Sequence, residues 1–517
     1  MSNGAMRSRS MLARLLGGIV LAACCIAGSH TAAAFGLGGF GGRPMMGGGM
    51  MAPRPGGGMM APRPGGGMMA PGPGGGVIVG RPPGGGGWPT RHPPFVGGGG
   101  GGYVGGGGGG PAGPGNGGGG NRNNGGGTPQ PGNQNFIPNE VITAFAPGTT
   151  PQAIALIARR YELTQLDSQN FPLIGTSLYR WRLGGGRTVA NTVRALGGER
   201  IVASVQPNYI FTLQEDSAKV AAGLQGDAAQ YVLAKLQSAQ AQQIATGKDV
   251  LVAVIDSEID AKNPNLDGTI VKVFDPLGGN EKPHAHGTSI AGAIAAHGKL
   301  LGIAPGAQVL AIHAFDDTPG VARGNSYAIY KGLQWAADNG ARIVNMSFAG
   351  PADPTLQRLL AAAYDKGIVL IAAAGNAGPK SDPLYPAADP NVIAVTATDS
   401  DDHLFPMANR GRHIAVAAPG VDIFALGPGD EYVFTTGTSI AAAHVSGVVA
   451  LLLEHKPSLK PADIRAALTA TAQPLGPPRP DSDFGAGLVS AYRAVMWLDR
   501  TPAAAPPAAD GGPQAKQ

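Results

Sequence analysis

From about Ala229 onward, short apolar runs alternate with longer amphipathic segments, and this alternation restricts the possible folds more than any other feature of the sequence. Uninterrupted apolar runs between helices are typical of strands that are buried on both faces of a parallel sheet. We therefore expect an α/β domain over residues 229–500 with a mainly parallel sheet. The predicted strands span 250–255, 309–313, 343–348, 368–373, 392–396 and 414–417, and the predicted helices span 287–296, 327–338, 355–366, 439–454 and 461–471.

The segment 136–214 has a different pattern. Residues alternate in polarity as in strands at 138–145, 177–182 and 201–213, and they have helical spacing at 151–161 and 189–196. This order, β-α-β-α-β, predicts a small α+β domain of ferredoxin-like type, with two helices on one face of a sheet. The pattern alone indicates no function.

Residues 35–135 are dominated by glycine and proline and contain a nine-residue repeat that begins at Met50, Met59 and Met68. Such a segment buries too little apolar surface to offset the entropy of ordering it, so we expect it to be disordered. A flexible spacer is the favoured interpretation, with a sticky surface anchor as the alternative. The Pro/Ala-rich tail 501–517 is also predicted to be disordered.

The N-terminus has the pattern of an export signal. Three arginines precede the apolar run 15–28, and small residues at 31–34 provide a cleavage site, so residues 1–34 are predicted to be a signal peptide. We expect the protein to be secreted, periplasmic or on the cell surface. Cys24 also ends a lipobox-like sequence, which leaves a lipoprotein as the alternative. No later segment is a better candidate for a membrane span.

Two counts restrict partners and covalent structure. The only cysteines, Cys24 and Cys25, lie inside the predicted signal, so the exported chain is expected to contain no disulfide. Nine arginines precede the first acidic residue, Glu140, and without them the formal charge of +5 becomes −4. The foldable part therefore has no basic surface for phosphates, and we exclude nucleic acid as a partner.

Three polar residues stand where chemistry is expected in a parallel sheet, at the ends of elements. Asp256 ends an apolar strand, His286 begins a helix, and Ser439 begins another helix after Gly437. A carboxylate, an imidazole and a hydroxyl form a nucleophilic relay, in which the histidine takes the serine proton and the aspartate orients the ring.

A fourth residue fits the same chemistry. Asn376 follows the apolar strand 368–373 between two glycines, and its amide is suited to donate to a developing oxyanion. Backbone N–H groups near Ser439, at a helix N-terminus, would provide further donors.

The sequences around these residues, VIDS at Asp256, HGT at His286, AGN at Asn376 and GTS at Ser439, resemble those of the subtilisin-like serine proteases, the subtilases or peptidase S8 family. The order Asp, His, Ser is also that of the family. The resemblance covers about 230–496 and implies a subtilisin-like three-layer fold and a monomeric serine endopeptidase that acts on proteins or peptides and requires no cofactor.

The resemblance also implies a zymogen. Residues 136–214 would be an inhibitory propeptide, removed by the enzyme itself within the linker 215–228. Two strands would line the substrate cleft, and their uncharged composition predicts a broad or apolar preference. The implied cleft residues are Ser347, Phe348, Ala349, Ala373, Ala374 and Gly375.

Three positions differ from the residues that are usual in the family. Ile440 and Ala443 are apolar, helix-compatible replacements that we expect to be tolerated. Glu258 places a carboxylate two residues after Asp256, where it would either stabilise a protonated His286 and shift the pH optimum upward, or point to solvent. A second hypothesis is therefore a catalytically impaired surface or binding protein on the same scaffold.

No metal site is predicted. His284 and His286 have no further ligand cluster to complete a zinc site. Structural calcium is possible in such a fold but no carboxylate-rich loop identifies it, and Asp399, Asp401 and Asp402 are interpreted as a solvated turn. His444 is expected to pack within its helix, and Ser446 lies too deep in that helix to attack a substrate.

Overall fold

In the computed structural model, the described residues are 135–214, 216–220, 230–279, 282–318, 321–477 and 481–500. They all belong to one structural unit, Gly113–Gln517. The predicted signal 1–34, the glycine-rich segment up to 134, most of the linker 215–228 and the tail 501–517 lie outside the described residues.

The N-terminal domain is a four-stranded antiparallel sheet with two helices. Its strands lie in the order β2–β3–β1–β4, which with the βαββαβ sequence of elements is the ferredoxin-like arrangement. Its elements are β1 (Phe136–Phe145), α1 (Pro151–Arg160), β2 (Leu163–Phe171), β3 (Thr176–Leu183), α2 (Val189–Gly197) and β4 (Val202–Leu213).

Strand β2 was absent from the sequence prediction, which had three strands in this domain. Its sequence, LTQLDSQNF, lacks apolar alternation because β2 is an edge strand with mostly exposed or half-buried residues. Only its first and last residues, Leu163 and Phe171, are buried. Pairing with β3, rather than burial, determines its conformation.

The second domain follows a short strand and two short helices, β5 (Asp216–Val220), α3 (Tyr231–Lys235) and α4 (Ser238–Gln242). Seven parallel strands form its central sheet in the order β15–β14–β13–β11–β6–β8–β7. The remaining elements are β6 (Leu251–Asp256), β7 (Ile270–Phe274), α5 (Ala285–Ala295), β8 (Gln308–His313), β9 (Phe315–Thr318), β10 (Val321–Asn325), α6 (Ser326–Asp338), β11 (Ile343–Met346), β12 (Phe348–Ala349), α7 (Pro354–Asp365), β13 (Val369–Ala373), β14 (Val392–Thr398), β15 (Ile414–Pro419), β16 (Ile423–Leu426), β17 (Tyr432–Thr436), α8 (Thr438–His455), α9 (Pro461–Thr471) and α10 (Ala491–Arg500).

The central sheet is covered by helices on both faces, as the sequence predicts. Alternate residues of β6 enter two different cores, because successive side chains of a strand point to opposite faces. Val252 and Val254 pack with α5 and α8, whereas Ala253 and Ile255 pack with α6 and α7. Helix α8 is apolar on all sides because it lies inside the fold. Among the described residues it is the one helix long and apolar enough to cross a membrane, and 89% of its 18 residues are buried.

Several short strands near the cleft were not predicted. The sequence predicts one strand over 343–348, but the structure interrupts it at Ser347, and Phe348 and Ala349 leave the sheet to pair with β4. Strands β9, β10, β16 and β17 are hairpin strands of four or five residues. Such short strands depend on pairing with distant parts of the chain, which a local pattern does not reveal.

The N-terminal domain packs on the second domain through the open face of its sheet. Val141 of β1 enters the core beneath α1 and α2, while its neighbour Ile142 enters the core that contains α6 and α7. Phe171 lies edge-on to Tyr327 and Tyr330 of α6, with ring centroids 6.2 and 6.4 Å apart. Both faces of this small sheet are therefore buried.

A buried polar network holds the same interface. Asp353, the N-cap of α7, accepts hydrogen bonds from Gln206 Nε2 (2.8 Å), Ser326 Oγ (2.6 Å) and Tyr330 OH (2.5 Å). From the other domain, Asn208 Oδ1 accepts a hydrogen bond from Tyr327 N at the start of α6 (3.2 Å). Gln206 Oε1 also accepts a hydrogen bond from Thr355 N at the start of α7 (3.2 Å). Two amide side chains of β4 thus satisfy backbone N–H groups at the N-termini of α6 and α7, which lack intrahelical partners.

We predict that His444 makes the fold sensitive to mild acid. The imidazole is buried in α8 and its Nδ1 lies 2.9 Å from the Pro419 carbonyl oxygen. Burial lowers the pKa of His444 to about 4, whereas in the unfolded chain the pKa is near 6.5. Between these values the unfolded state binds a proton that the folded state does not, so stability falls as the pH drops from about 6.5 to 4, by up to about 3 kcal/mol.

The measurement is urea unfolding at pH 7 and pH 4.5 in a Ser439→Ala background, which prevents self-digestion. His444→Gln retains an N–H donor but does not titrate, so the variant should lose less stability on acidification. Parallel losses in the two proteins would contradict the prediction.

Candidate active site

The predicted site residues lie at the carboxyl edge of the central sheet. Asp256 is the last residue of β6, Ser347 follows β11, and Asn376 comes three residues after β13. Because β6, β11 and β13 are parallel neighbours, their carboxyl ends meet at one edge.

The structure brings Asp256 and His286 into direct contact. His286 Nδ1 lies 2.6 Å from Asp256 Oδ1, and both side chains are almost completely buried. The same carboxylate oxygen accepts a hydrogen bond from Ser257 N (2.8 Å). His284 is the N-cap of α5 and accepts a hydrogen bond from His286 N through its Nδ1 (3.1 Å). His284 thus orients the start of the helix that carries His286.

Ser439 is the second residue of α8. Its hydroxyl donates hydrogen bonds to the carbonyl oxygens of Ser347 (3.1 Å) and of Gln214, the residue that follows β4. The backbone carbonyl of Ser439 in turn accepts a hydrogen bond from Ser347 Oγ (3.1 Å). The candidate nucleophile is therefore in contact with a carbonyl group of the same chain, 225 residues upstream.

Asn376 is fixed by the residue before the candidate nucleophile. Its Oδ1 accepts hydrogen bonds from Thr438 N (3.1 Å) and Thr438 Oγ1 (2.8 Å). Its Nδ2 is buried and makes no hydrogen bond within the described residues, so a donor remains available. Thr438 Oγ1 also accepts a hydrogen bond from Gly375 N (3.1 Å). This role of Thr438 was not predicted from the sequence, although the residue adjoins Ser439.

The end of β4 occupies the cleft as an extended strand between two others. Leu213 pairs with Phe348 and Thr212 with Ala349, and Gln214 N donates to Ser347 O (3.2 Å). Ser347, Phe348 and Ala349 therefore lie directly beside the end of β4. That they bind substrate stays a prediction.

The opposite edge of β4 does not pair with residues 373–375, which were predicted to line that side. The structure pairs residues 210–212 with β10, whose Gly324 lies opposite Phe211. Ala373 and Ala374 are fully buried in the two cores, and among the described residues neither is paired with β4. Gly375 borders the site, because its N–H donates a hydrogen bond to Thr438 Oγ1. Strand β10 was not predicted because its sequence, VARGN, has no strand-like alternation.

Phe211, three residues before Gln214, fills an apolar pocket. Its ring is fully buried and lies edge-on to Phe348, with centroids 5.8 Å apart. Phe315 packs behind Phe348 at 5.0 Å. Gly350 borders the pocket so closely that an added Cβ would lie 2.4 Å from Phe211 Cδ1. We call this the Phe211 pocket.

The sequence model of the subtilase family matches residues 247–487. Thermitase from Thermoactinomyces vulgaris is 35% identical over 276 residues, which cover 52% of this chain and 96% of thermitase. The chain belongs to the subtilase family. Subtilisin E from Bacillus subtilis is 38% identical over 260 residues, which cover 48% of this chain and 67% of subtilisin E.

The subtilisin-like fold is also evident from a solved structure. Fervidolysin from Fervidobacterium pennivorans, described as a keratinolytic enzyme related to subtilisin, superposes with a TM-score of 0.60 and 27% identity over 70% of this chain and 61% of that one. In sequence, fervidolysin is 36% identical over 289 residues, or 49% of this chain. The match spans only 41% of the curated fervidolysin sequence.

Glu258 in this subtilase contacts a buried histidine, His313. Its Oε2 lies 3.6 Å from Nδ1 of His313, and Asp275 Oδ1 lies 3.5 Å from the same nitrogen. Burial raises the pKa of Glu258 above its usual value, against the opposing effect of His313. The Glu258 backbone carbonyl accepts a hydrogen bond from His284 N (2.9 Å). The carboxylate thus contacts His313 at the end of β8, so it does not simply point to solvent.

The acidic turn of this subtilase is partly structured by ion pairs. Lys235 Nζ lies 2.8 Å from Asp402 Oδ1, and Asp399 Oδ1 accepts hydrogen bonds from the N–H groups of Asp401 and His403. Residues 399–402 thus form a partly exposed turn, in which Asp402 is paired with a lysine. Within the described residues, no group of three or more His, Cys, Asp or Glu side chains is placed to hold a metal ion.

We predict that the conformation of Gly375 is required beside the site. Its φ of +110° is strained for any other residue, and an added Cβ would lie 2.6 Å from Asn409 Nδ2. Gly378 is a matched control, since it has a φ of +93° but nothing within 4 Å of the added Cβ. Gly378→Ala should cost about 1–2 kcal/mol of backbone strain, and Gly375→Ala about 1–3 kcal/mol more because Asn409 must move.

Urea unfolding of the two variants in a Ser439→Ala background gives the comparison. Equal destabilisation would mean that contact with Asn409 contributes nothing.

Proposed function

We propose that this subtilase is a serine endopeptidase made as a zymogen, with Ser439 as nucleophile, His286 as general base and Asp256 as the residue that orients it. The observation that carries the proposal is the contact between Ser439 Oγ and the carbonyl oxygen of Gln214, in a strand that lies in the cleft. The 2.6 Å hydrogen bond between Asp256 and His286 supports the assignment of the base.

In the proposed reaction, His286 Nε2 accepts the Ser439 proton as Oγ attacks the carbonyl carbon of the scissile bond. Asp256 holds the proton on Nδ1 and stabilises the imidazolium that forms. The imidazolium then gives its proton to the leaving nitrogen as the C–N bond breaks, which leaves an acyl ester on Ser439. Water attacks the ester with the same base, and both products leave.

The oxyanion that develops during attack needs donors that are already oriented. We assign this role to Asn376 Nδ2, together with the backbone N–H of Ser439 at the start of α8. Thr438 is a positioning residue, since it holds Asn376 Oδ1 through both its N–H and its hydroxyl. Loss of one such donor costs about 10²–10³ in turnover, a magnitude measured in subtilisin, a relative of this chain.

The N-terminal domain acts as the propeptide in this proposal. Its β4 strand occupies the cleft, and the bond after Gln214 is the self-processing site, Gln214–Glu215. Gln206 and Asn208, with their hydrogen bonds to Asp353 and Tyr327, would hold the domain in place after the cut. Export follows from the signal-like N-terminus, 1–34.

The segment in the cleft also indicates a substrate preference. Counting back from the proposed cut, Gln214, Leu213, Thr212 and Phe211 occupy the positions P1 to P4. We propose that proteins with an aromatic residue at P4 are preferred, because the Phe211 pocket buries that ring completely. The side-chain amide of Gln214 at P1 makes hydrogen bonds, which include one from Asn376 N to Gln214 Oε1 (2.8 Å).

The alternative, an impaired scaffold protein, rests on Glu258. The 3.6 Å contact between Glu258 Oε2 and His313 Nδ1 gives that carboxylate a partner other than His286, so we favour the enzyme.

We predict that the purified wild-type chain releases its N-terminal domain and acquires a new N-terminus at Glu215, and that Ser439→Ala remains intact. Intact mass and N-terminal sequencing identify the bond, and a fluorophosphonate probe should label only the protein with Ser439. Ser446→Ala is the matched control in the same helix, because its hydroxyl donates to Asn345 and lies outside the proposed machinery.

Processing of Ser446→Ala should therefore continue at the same bond. Cleavage of purified Ser439→Ala at Gln214–Glu215, or no labelling of the wild type after removal of its N-terminal domain, would contradict the proposed function.

We further predict that Gly350→Ala narrows the Phe211 pocket. The added methyl group would overlap a P4 phenylalanine ring but not a P4 alanine. Overpacking of this kind costs 1–3 kcal/mol, so the ratio of kcat/KM for peptides with Phe and Ala at P4 should fall roughly tenfold. The P4 alanine peptide is the internal control. An unchanged ratio would show that Gly350 does not limit the size of the P4 side chain.

A further inference from the structure

Strand β17 ends three residues before the candidate nucleophile, Ser439. Its hairpin partner β16 covers only one of its two edges. It pairs with β16 on one side, and on the other side with β5, in the strand order β16–β17–β5. Strand β5 begins two residues after Gln214, so the chain that crosses the proposed cut pairs with the second domain on both sides of it.

The register assigns positions to this pairing. Asp216 lies opposite Thr436, Lys219 opposite Phe434 and Val220 opposite Val433, with a one-residue shift between Asp216 and Lys219. Counted from the proposed cut, these residues of β5 occupy P2', P5' and P6'. The backbone contacts therefore extend well beyond the residues next to the reacting bond.

The hairpin that carries β17 is fixed to the catalytic side of the fold. Asp260 Oδ2 accepts a hydrogen bond from Gly429 N (2.7 Å), and Asn263 Nδ2 donates to the carbonyl oxygens of Gly427 (3.0 Å) and Gly429 (2.7 Å). Ser289 of α5 donates to Leu426 O (2.8 Å).

Aromatic packing adds to this rigidity. Phe424 of β16 stacks on Tyr432 of β17, with ring centroids 5.1 Å apart, and contacts Phe434 at 5.7 Å. The edge of β17 is thus held in an extended shape, as a strand that receives a peptide must be.

From this pairing we propose that β17 is a docking strand for the part of a polypeptide substrate that follows the scissile bond, from P2' to P6'. The occupant is an extended peptide that adds as an antiparallel strand, with β5 as its intramolecular precedent. The inference rests on the proposed function and extends the recognised segment to ten residues, P4 to P6'. Main-chain hydrogen bonds supply the affinity, so the primed side should accept many sequences.

The first test compares quenched fluorescent peptides that share residues 211–214 of this chain before the cut. One continues with residues 215–216, a second with 215–220, and a third replaces 217–220 by a glycol spacer of equal length. The enzyme is self-processed protein whose own residues 217–220 are replaced by proline, which has no backbone N–H to donate, so that its new N-terminus does not compete for β17. We expect kcat/KM for the second peptide to exceed that of the other two by about tenfold.

The second test uses the geometry of an antiparallel ladder. Adjacent residues alternate in the direction of their N–H groups, so only one of P5' and P6' donates to β17. N-methylation at that position should lower kcat/KM about threefold to tenfold, and N-methylation at its neighbour should have little effect. The two methylated peptides have the same composition and differ only in the position of the methyl group.

The results separate the two proposals. If the three peptides are cleaved at equal rates, or if both methylated peptides behave alike, the docking strand is wrong while the endopeptidase stands. If none of the peptides is cleaved, the proposed function itself fails. A length effect together with a difference between the methylated peptides supports the inference.

Discussion

The structure depends on one long strand, β4, which joins the sheet of the N-terminal domain to the strands at the cleft. Its first part pairs with β1 and completes the N-terminal domain, and its last residues pair with β10 and β12 at the cleft. Because a strand has a fixed register and rise, the docking of the N-terminal sheet determines which residue reaches Ser439. Gln206 and Asn208 lie within the part of β4 that pairs with β1, and their polar contacts with the second domain hold the register.

The same arrangement explains why the site is built from distant residues. Asp256, Ser347 and Asn376 share an edge because their strands are parallel neighbours, and Ser439 reaches it from the start of α8. The helices contribute their N-termini, where backbone N–H groups lack partners within the helix. The parallel topology therefore brings the candidate catalytic side chains together, while β12 and β10 supply the strand edges with which a peptide can pair.

Much of this could be predicted from the sequence. The central strands, such as β6 and β13, are buried on both faces, and their continuous apolar runs identify them. The residues Asp256, His286, Asn376 and Ser439 follow from short motifs at element ends. The edge strand β2 and the cleft strand β10 escaped prediction because pairing, and not burial, makes them strands. The role of Thr438 depends on the orientation of two side chains, which spacing in the sequence does not determine.

Both faces of the N-terminal sheet are buried, and this affects what happens to the domain after its release. Ile142, Phe171 and Leu178 are shielded by the second domain, in the core that includes α6 and α7. Once detached, a domain of this size keeps only the small core beneath α1 and α2, and exposes an apolar face. The detached domain is then marginally stable and is exposed to a peptidase that can degrade it. The proposed activation would be irreversible, because a degraded inhibitor cannot bind the cleft again, even if its affinity for the cleft is unchanged.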